Sequence, residues 1–445
     1  MTSPVASLAQ AIDRRVGRSA PRPSLWAIDV WRLLGHLAIA MFVLLTVTGI
    51  LLQIWYDPST DPVVYHGAST LYDGRTLPTN FASLVYISED VTGGLLLRRV
   101  HVAASHLFVA ATALHLLRIL FTGAYRRPRL ANHLLGVGLL LLVLGMFYTG
   151  ENLRFDLVAG ASLRIGYAVL LSIPFVGDSL APLVFGGEFP AGDVVTRAWV
   201  LHVFVLPVLF VAGLAAHLWL VHRRTPAEWP REDVDVHTKA VGRPLWPDAS
   251  ARFAMLGAGV SALVVASAAF VPWADVELEG PFRPGEAANT LHPPWALFFL
   301  SGAMRILPSI DLIVGPVRIS NVFVAGVIIP GILVGALVIY PLVERAILHD
   351  EYVHHELAGP LDLPLRAAVT AAITAVTLVL TAAAGADVLA FWLRAPVESV
   401  VWGFRIALVV VPLAATVLAV RAAHRHAERA SNRGASAAAH TPATS

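Results

Sequence analysis

The chain has 445 residues, of which 57% are hydrophobic and 14% are charged, whereas a soluble domain usually carries about 25% charged residues. Lipid is therefore needed to cover its apolar surface, and the formal net charge of +2 gives no sign of a nucleic-acid partner. The sequence contains no cysteine, which excludes disulfides, iron–sulfur clusters held by thiolates, and haem attached through a C-x-x-C-H motif.

Eight apolar runs each approach the roughly 20 residues that a bilayer-spanning helix requires. Only helices and closed barrels satisfy the backbone in hydrocarbon, and these runs are too long and too continuously apolar for barrel strands. The sequence therefore predicts an all-α integral membrane protein with eight transmembrane helices. In chain order, these helices are predicted to cover residues 33–55, 100–122, 134–150, 198–222, 252–272, 319–342, 366–389 and 400–420.

The loop after the fourth predicted helix is polar and contains prolines, so we expect it to divide the membrane region into two four-helix modules. The end of the chain is rich in Ala, Ser and Thr, which is typical of disorder. The predicted segments are an N-terminal segment (1–32), an N-terminal four-helix bundle (33–224), a loop (225–251), a C-terminal four-helix extension (252–421) and a disordered tail (422–445).

Basic residues predict the orientation of the helices. The start of the chain is polar and basic and lacks the apolar core of a signal peptide. Arg14, Arg15, the run 126–129 and Arg223 all fall on the same side as this segment, and loops rich in Lys and Arg stay in the cytoplasm. We therefore expect both termini to be cytoplasmic and the long loops between the predicted helices to face outward.

Two predicted helices each carry a pair of histidines at nearly equal spacing. The second helix has His101 and His115, 14 residues apart, and the fourth has His202 and His217, 15 apart. At about 100° and 1.5 Å per residue, each pair lies on roughly one face, with its members about 21–23 Å apart along the axis. Because both helices run inward, His101 meets His202 near the outer membrane face (the outer pair), and His115 meets His217 near the inner face (the inner pair).

The two pairs predict two non-covalent b-type haems stacked across the bilayer, each with its iron between two imidazoles. A single buried histidine is more often bonded to a backbone carbonyl, but ionisable groups inside a membrane are costly and usually functional, and four at matched spacing favour haem. His106 points away from the face of His115 and is interpreted as structural. Pro207 follows His202 by five residues, and a kink there would absorb the extra residue of the 15-residue spacing.

Glycines recur at the same 14-residue step on the two neighbouring helices, as Gly35 and Gly49 on the first and Gly136 and Gly150 on the third. A porphyrin between four helices needs close backbone approach at its edges, which glycine permits. The alternative is the small-residue packing common between membrane helices. Because the step equals that of the histidines, we favour contact with haem.

Arginines lie near the ends of the histidine-bearing helices. Arg98 and Arg118 each lie three residues from a histidine of the second helix, and Arg197 precedes His202 by five. Each is a candidate to pair with a haem propionate. The alternative is an ordinary arginine that extends to the membrane interface.

These residues resemble the cytochrome b subunit of quinol–cytochrome c reductases, the bc complex family, over nearly the whole chain. The matching patterns are Arg98-x-x-His101 with His115-x-x-Arg118, Thr196-Arg197 with His202-x-x-x-x-Pro207 and His217, the four glycines, and Ile173-Pro174-x-x-Gly177. The 15-residue step is similar to the chloroplast and Gram-positive branch. The stretches similar to actinobacterial members are 121–129, 185–187, 340–344 and 352–355 with Pro360.

The resemblance implies a quinone-linked electron relay in the plasma membrane. Quinol, by this likeness menaquinol, is oxidised near the outer face. One electron then leaves to an iron–sulfur subunit, and the other crosses a lower-potential outer haem and a higher-potential inner haem to quinone near the inner face. The implied partners are a Rieske iron–sulfur subunit, a c-type cytochrome subunit and a second copy of the chain, with a terminal oxidase as a further candidate.

His222 matches a family residue that lines the inner quinone site. It is a candidate to donate a hydrogen bond or a proton to reduced quinone. The alternative is a histidine that simply lies at the membrane interface.

The resemblance breaks at the outer quinol site. The family carries Pro-Glu-Trp-Tyr or a variant with an acid in second place, whereas this chain has Pro293-Pro294-Trp295-Ala296. Quinol oxidation releases protons, and a carboxylate within hydrogen-bond reach is the expected acceptor, which Pro294 lacks. The acids that are candidates to replace it are Glu151, Glu286 and Asp275.

Three functions remain open from the sequence. The first, which we favour, is a working reductase subunit with a shifted proton acceptor. The second is a divergent dihaem paralogue that lacks standard quinol oxidation and relays electrons for another membrane redox complex. The third is a transporter or structural membrane protein whose histidines are incidental, and it predicts a purified protein without haem.

Overall fold

A computed structural model of the chain describes residues 25–26, 30–190, 192–224, 226–230, 243–274, 276–285, 292–309, 311–315 and 317–439. Two of the three candidate acids, Asp275 and Glu286, lie outside these ranges.

Helices make up most of the described chain, and eight of them are long and apolar enough to cross a bilayer. This confirms the predicted fold class. In chain order the helices are α1 (Leu33–Leu52), α2 (Thr79–Glu89), α3 (Gly94–Phe121), α4 (Leu130–Asn152), α5 (Leu157–Leu171), α6 (Gly177–Phe185), α7 (Val194–Arg224), α8 (Ser250–Phe270), α9 (Val276–Glu279), α10 (Phe298–Ile306), α11 (Asn321–Leu348), α12 (Pro364–Ala383), α13 (Ala386–Leu393) and α14 (Val397–Ala439). The long apolar helices are α1, α3, α4, α7, α8, α11, α12 and α14.

The ends of the chain and of several helices differ from prediction. The sequence predicted disorder from residue 422, but α14 continues as helix to Ala439. This segment is rich in alanine, the residue with the highest helix propensity, and the polar composition that suggested disorder does not oppose a helix. The predicted seventh helix ends at Ala383, because Gly385 interrupts it and α13 follows as a separate short helix.

Several segments outside the long helices fold into short elements. The loop between α1 and α3 holds a hairpin of β2 (Pro62–Val64) and β3 (Thr76–Pro78), followed by α2. Helices α5 and α6 fill the loop between α4 and α7. Two further antiparallel pairs join β1 (Leu25–Trp26) to β4 (Arg243–Pro244) and β5 (Leu312–Val314) to β6 (Val317–Ile319).

Helix α7 contains the irregularity that the 15-residue histidine spacing requires. Residues Leu201–Val205 form one π-helical turn, in which the backbone N–H of Leu206 donates to the carbonyl of Leu201. A π turn holds one more residue than an α turn, so it absorbs the extra residue. Pro207, which the sequence proposed as the site of adjustment, lies directly after this turn.

Helices α1, α3, α4 and α7 surround the histidine pairs, with α1 packed along α3 and α4 along α7. Helix α8 packs on α1 and α3, where Phe253 stacks on His36 with ring centres 3.5 Å apart. The first helix of the predicted C-terminal extension therefore packs on the N-terminal bundle. Helices α10, α12 and α14 pack together as the rest of the extension.

Candidate haem and quinone sites

The outer pair has the spacing of two imidazoles that share one metal ion. The ring centres of His101 and His202 lie 6.3 Å apart, with the ring planes at 73°. Two in-line metal–nitrogen bonds of about 2 Å, plus about 1 Å from each nitrogen to its ring centre, add up to about 6 Å. The residues of the outer pair therefore fit a bis-histidine haem.

Threonines and a backbone carbonyl fix the orientation of these two rings. Nδ1 of His101 lies 2.8 Å from Thr48 Oγ1, and Nδ1 of His202 lies 2.9 Å from the carbonyl of Met146 and 3.3 Å from Thr149 Oγ1. Each threonine hydroxyl donates its own proton to a carbonyl in its helix, so its oxygen can accept from the ring. With the proton on Nδ1, Nε2 of each ring carries the lone pair that a metal needs.

Each of the four predicted glycines faces one histidine. A Cβ built on the glycine would lie within ordinary or closer contact distance of the ring, so glycine leaves the space that the imidazole occupies. The pairs are Gly35 with His115 at 3.1 Å, Gly49 with His101 at 3.2 Å, Gly136 with His217 at 3.8 Å and Gly150 with His202 at 2.6 Å. The close approach that the sequence assigned to a porphyrin edge is in this structure an approach to the imidazoles.

A cavity adjoins each pair. The outer cavity, about 1360 Å³ including its open side, is lined by His101, His202, Gly49 and Gly150. The inner cavity, about 1390 Å³ on the same measure, is lined by its own two histidines and two glycines, His115, His217, Gly35 and Gly136. The near-equal size and matching composition of the two cavities follow from the repeated step along the helices.

Three phenylalanines separate the two cavities. The ring centres of Phe42, Phe108 and Phe210 lie 4.6–5.9 Å from one another, and Phe108 lines both cavities. Phe108 lies seven residues from both histidines of α3, and Phe42 lies seven residues from both glycines of α1. This layer was not predicted from the sequence, although its residues lie midway between the repeated histidines and glycines.

The three candidate arginines differ in whether they line a cavity beside a histidine pair. Arg98 lines the outer cavity, and its guanidinium donates to Ser88 Oγ at 3.1 Å and to the carbonyl of Ala274. Arg118 lines the inner cavity. Arg197 lines neither cavity and instead donates to the carbonyl of Leu183, so the structure does not support the role suggested for Arg197.

On the inner side, His222 is exposed near the end of α7 and does not line the inner cavity. The polar residues that do line it include His36, Asn132 and His133, none of which the sequence singled out. His133 Nε2 lies 2.9 Å from the carbonyl of Leu337 on α11, which ties this wall to the C-terminal helices.

A third cavity marks the region of the altered quinol motif. It measures about 1010 Å³ including its open side and lies between α4, α5, α6 and α10, with Pro293 and Tyr148 in its wall. Its described lining residues include no carboxylate. Trp295 does not line it, and its indole N–H donates to Nδ1 of His106 at 2.7 Å. This bond gives His106 a structural partner, in line with its interpretation from sequence.

A buried ion pair joins the inner end of the bundle to the C-terminal helices. Arg366 on α12 donates to Glu344 on α11 at 2.7 Å, with both side chains 2% exposed. Tyr125, which lines the inner cavity, donates to the same carboxylate at 2.7 Å, and Tyr340 also donates to it. Three side chains from three segments thus donate to one carboxylate.

Comparisons with known proteins agree with this architecture. A sequence profile described as "Cytochrome b(N-terminal)/b6/petB" matches residues 106–281. The cytochrome bc1 complex cytochrome b subunit of Streptomyces coelicolor is 34% identical over 426 residues, 94% of this chain and 75% of that one. Its counterpart in Corynebacterium diphtheriae is 31% identical over 394 residues, 88% and 71% of the two chains, and that of Mycobacterium tuberculosis 33% over 402, 88% and 70%.

A solved structure described as "Hyperthermophilic respiratory Complex III" has the same fold, with a TM-score of 0.63 at 16% identity, over 94% of this chain and 97% of that one. Fold and site together define a multi-pass membrane protein built around two histidine pairs. The chain belongs to the cytochrome b family, among the cytochrome b subunits of actinobacterial bc1 complexes. The resemblance drawn from its sequence is therefore confirmed.

Proposed function

We propose that this chain conducts electrons across the plasma membrane through two b-type haems, as the cytochrome b subunit of a quinol–cytochrome c reductase. The observation that carries the proposal is the 6.3 Å separation of the outer-pair rings, because an iron bound to both imidazoles requires it. This is the first of the three functions left open by the sequence. The comparisons give no support to the paralogue or to the transporter.

The outer pair would hold one haem and the inner pair the other, and when bound they supply two one-electron carriers. Two histidines would hold each iron, which would suit electron transfer better than binding of a small ligand. Thr48 and the Met146 carbonyl orient the outer rings, and the glycines leave room for the imidazoles. Arg98 and Arg118 supply positive charge in the cavity walls, where propionates are best paired.

The third cavity is the proposed outer quinol site. It is apolar and lies across α4 from the outer cavity, since Tyr148 and Gly145 face it while Phe147 faces the outer cavity. Quinol bound there would be one helix away from the outer haem. His222 remains the proposed contact for quinone at the inner face, where its exposure at the end of α7 makes it accessible from the membrane boundary.

Partners are required because the chain has no cysteine and no C-x-x-C-H motif. A Rieske iron–sulfur subunit would accept the first electron from quinol, and a c-type cytochrome subunit would receive it. On the basis of the family likeness, we also propose that the chain forms a homodimer and that a terminal oxidase is a further partner. On the same basis we propose that both termini are cytoplasmic and that the substrate is menaquinol.

A reduced-minus-oxidised spectrum with haem quantification tests the proposal. We expect roughly two b haems per chain, falling to about one when any of the four histidines is replaced by alanine. His106→Ala is the matched control, because this histidine lies on the same helix and is bonded to Trp295. A folded preparation without haem would rule the proposal out. If the protein binds haem but the assembled complex does not oxidise quinol, the result would favour the second function, a divergent dihaem paralogue.

A further inference from the structure

Three carboxylates surround one guanidinium at the outer end of α4. Arg154 lies 2.9 Å from Glu151, 3.2 Å from Asp156 and 3.0 Å from Glu279. Glu151 and Asp156 flank the arginine in sequence, whereas Glu279 comes from α9, more than 120 residues later. We call these four residues the outer acidic cluster.

Backbone pairing between two loops brings the cluster together. The segment after α4 runs antiparallel to the segment after α9, with Phe282 N–H donating to the carbonyl of Phe155 at 2.8 Å and Leu157 N–H to that of Gly280 at 3.2 Å. Asp156 also accepts from the backbone N–H of Ala159 at 2.8 Å, which caps α5. The positions of the carboxylates are therefore fixed by the backbone.

The cluster reaches from the outer cavity to the surface. Glu151 and Arg154 line the outer cavity, which the outer pair also lines. Asp156 is fully buried behind them, and Glu279 is 24% exposed on the far side. Charge in the cavity can thus change the proton affinity of the cluster, and the bound proton can still exchange with the outer aqueous phase.

The charges in the cluster do not balance. Three ionised carboxylates with one guanidinium would leave two net negative charges in a poorly solvated place, and carboxylates this close do not all ionise readily. Burial is the main cause that raises the pKa of Glu279 to about 8, and the negative charge of Asp156 is the next largest cause. The charges of Asp156, Glu151 and Glu279 outweigh burial and raise the pKa of Arg154, so the guanidinium stays charged.

Few other titratable groups face the cluster among the described residues. Arg98 lines the same cavity and is bonded to Ser88 and to the Ala274 carbonyl. The Tyr56 phenol donates to the carbonyl of Leu153 at 2.7 Å, and burial raises its pKa, so it stays neutral. His106 accepts from the Trp295 indole. The carboxyl groups are therefore the groups in this wall that can gain or lose a proton near neutral pH.

We propose that Glu151, Asp156 and Glu279 share one exchangeable proton, bound when an electron reaches the outer haem and released through Glu279 when that electron moves inward. The added negative charge in the cavity favours protonation of a nearby carboxylate, and its departure reverses this. One electron and one proton from quinol are thus taken up together, and the proton goes to the outer phase. The other electron and proton leave with the iron–sulfur partner. This inference rests on the proposed function.

The midpoint potential of the outer haem as a function of pH tests the inference in the purified complex. One proton taken up per electron lowers the potential by about 59 mV for each tenfold fall in proton concentration, and we expect the slope to steepen through pH 8 and to approach this value above it. Glu151→Gln and Glu279→Gln should each flatten the slope by at least half. The control is Glu188→Gln, an exposed acid in the same outer loop region, which should leave the slope unchanged.

Infrared difference spectra between the oxidised and reduced states give a second readout, which does not depend on turnover. We expect a protonated carboxyl band on reduction that shifts with carbon-13 glutamate and is lost in Glu279→Gln. A wild-type potential independent of pH, or slopes and bands unchanged in both variants, would overturn the inference. If a variant loses its haem, the labelled wild-type band alone decides. If the inference fails in this way but the wild type has normal haem content and oxidises quinol, the proposed function still stands. A wild type without haem would contradict both the inference and the proposed function.

Discussion

Thr48 Oγ1 lies 2.8 Å from Nδ1 of His101, and the backbone of Leu45 also bonds to this ring. In the second ligand of the outer pair the threonine is more distant, because Nδ1 of His202 lies 2.9 Å from the Met146 carbonyl and 3.3 Å from Thr149 Oγ1. The two imidazoles of the outer pair therefore depend on their threonines to different degrees.

Thr48→Val should weaken haem binding at the outer pair. The change keeps the shape of the side chain but removes the oxygen that accepts from His101, and loss of such a partner typically lowers metal affinity about 10–100-fold. Haem retained after extensive dilution in detergent measures the effect. Thr149→Val is the matched control and should cost less, since Thr149 Oγ1 lies 3.3 Å from His202 and the closer Met146 carbonyl, at 2.9 Å, still accepts from it. Equal haem loss in the two variants would contradict this assignment.

Gly150→Ala and Gly136→Ala should differ in their effects on haem content. The new Cβ at position 150 would lie 2.6 Å from the His202 ring, which forces the ring or the helix to move, whereas at position 136 it would lie 3.8 Å from His217, an ordinary contact. We expect Gly150→Ala to lose the outer haem and Gly136→Ala to keep both. A redox titration that resolves the two haems measures this. Greater haem loss in Gly136→Ala would show that these glycines serve another purpose.

Much of this site could be read from the sequence because its elements repeat along helices. A 14-residue step brings a residue back to nearly the same face, so His101 and His115 could be placed on one side of α3 without coordinates. The threonines carried a comparable signal, since Thr48-Gly49 and Thr149-Gly150 are the same dipeptide at the outer ends of α1 and α4. That signal was missed because threonine is common in membrane helices.

Other features depend on tertiary contacts that no local pattern records. Glu279 joins Arg154 only because two irregular loops pair through their backbones, and the sequence offered Glu151 alone of the described cluster. The packing of α8 on the N-terminal bundle is likewise not visible in hydropathy, because each of the eight long helices is apolar enough to span a bilayer. The sequence indicated that α7 must absorb one extra residue between His202 and His217, but it did not predict the π turn at Leu201–Val205.

Phe108→Ala should destabilise the bundle and join the two cavities. This ring is 4% exposed and packs against Phe42 and Phe210 at the level between the histidine pairs. Truncating a buried phenylalanine usually costs about 3–5 kcal/mol, which should lower the thermal unfolding temperature of the haem-loaded protein. Phe108→Leu fills most of the space and should cost less than half as much. An unchanged unfolding temperature in Phe108→Ala would mean that the layer does not support the bundle.

Arg366→Met should be among the most destabilising single changes outside the haem sites. It leaves Glu344 buried with only Tyr125 and Tyr340 as donors, and removing one member of a buried ion pair typically costs about 3–5 kcal/mol. Adding Glu344→Gln to Arg366→Met removes the unpaired charge while keeping an oxygen for the tyrosines, so the double variant should recover part of the loss. The unfolding temperatures of the two single variants and the double variant form a cycle that isolates the coupling. If the double variant is no more stable than Arg366→Met alone, the penalty comes from lost packing of the arginine and not from the stranded carboxylate.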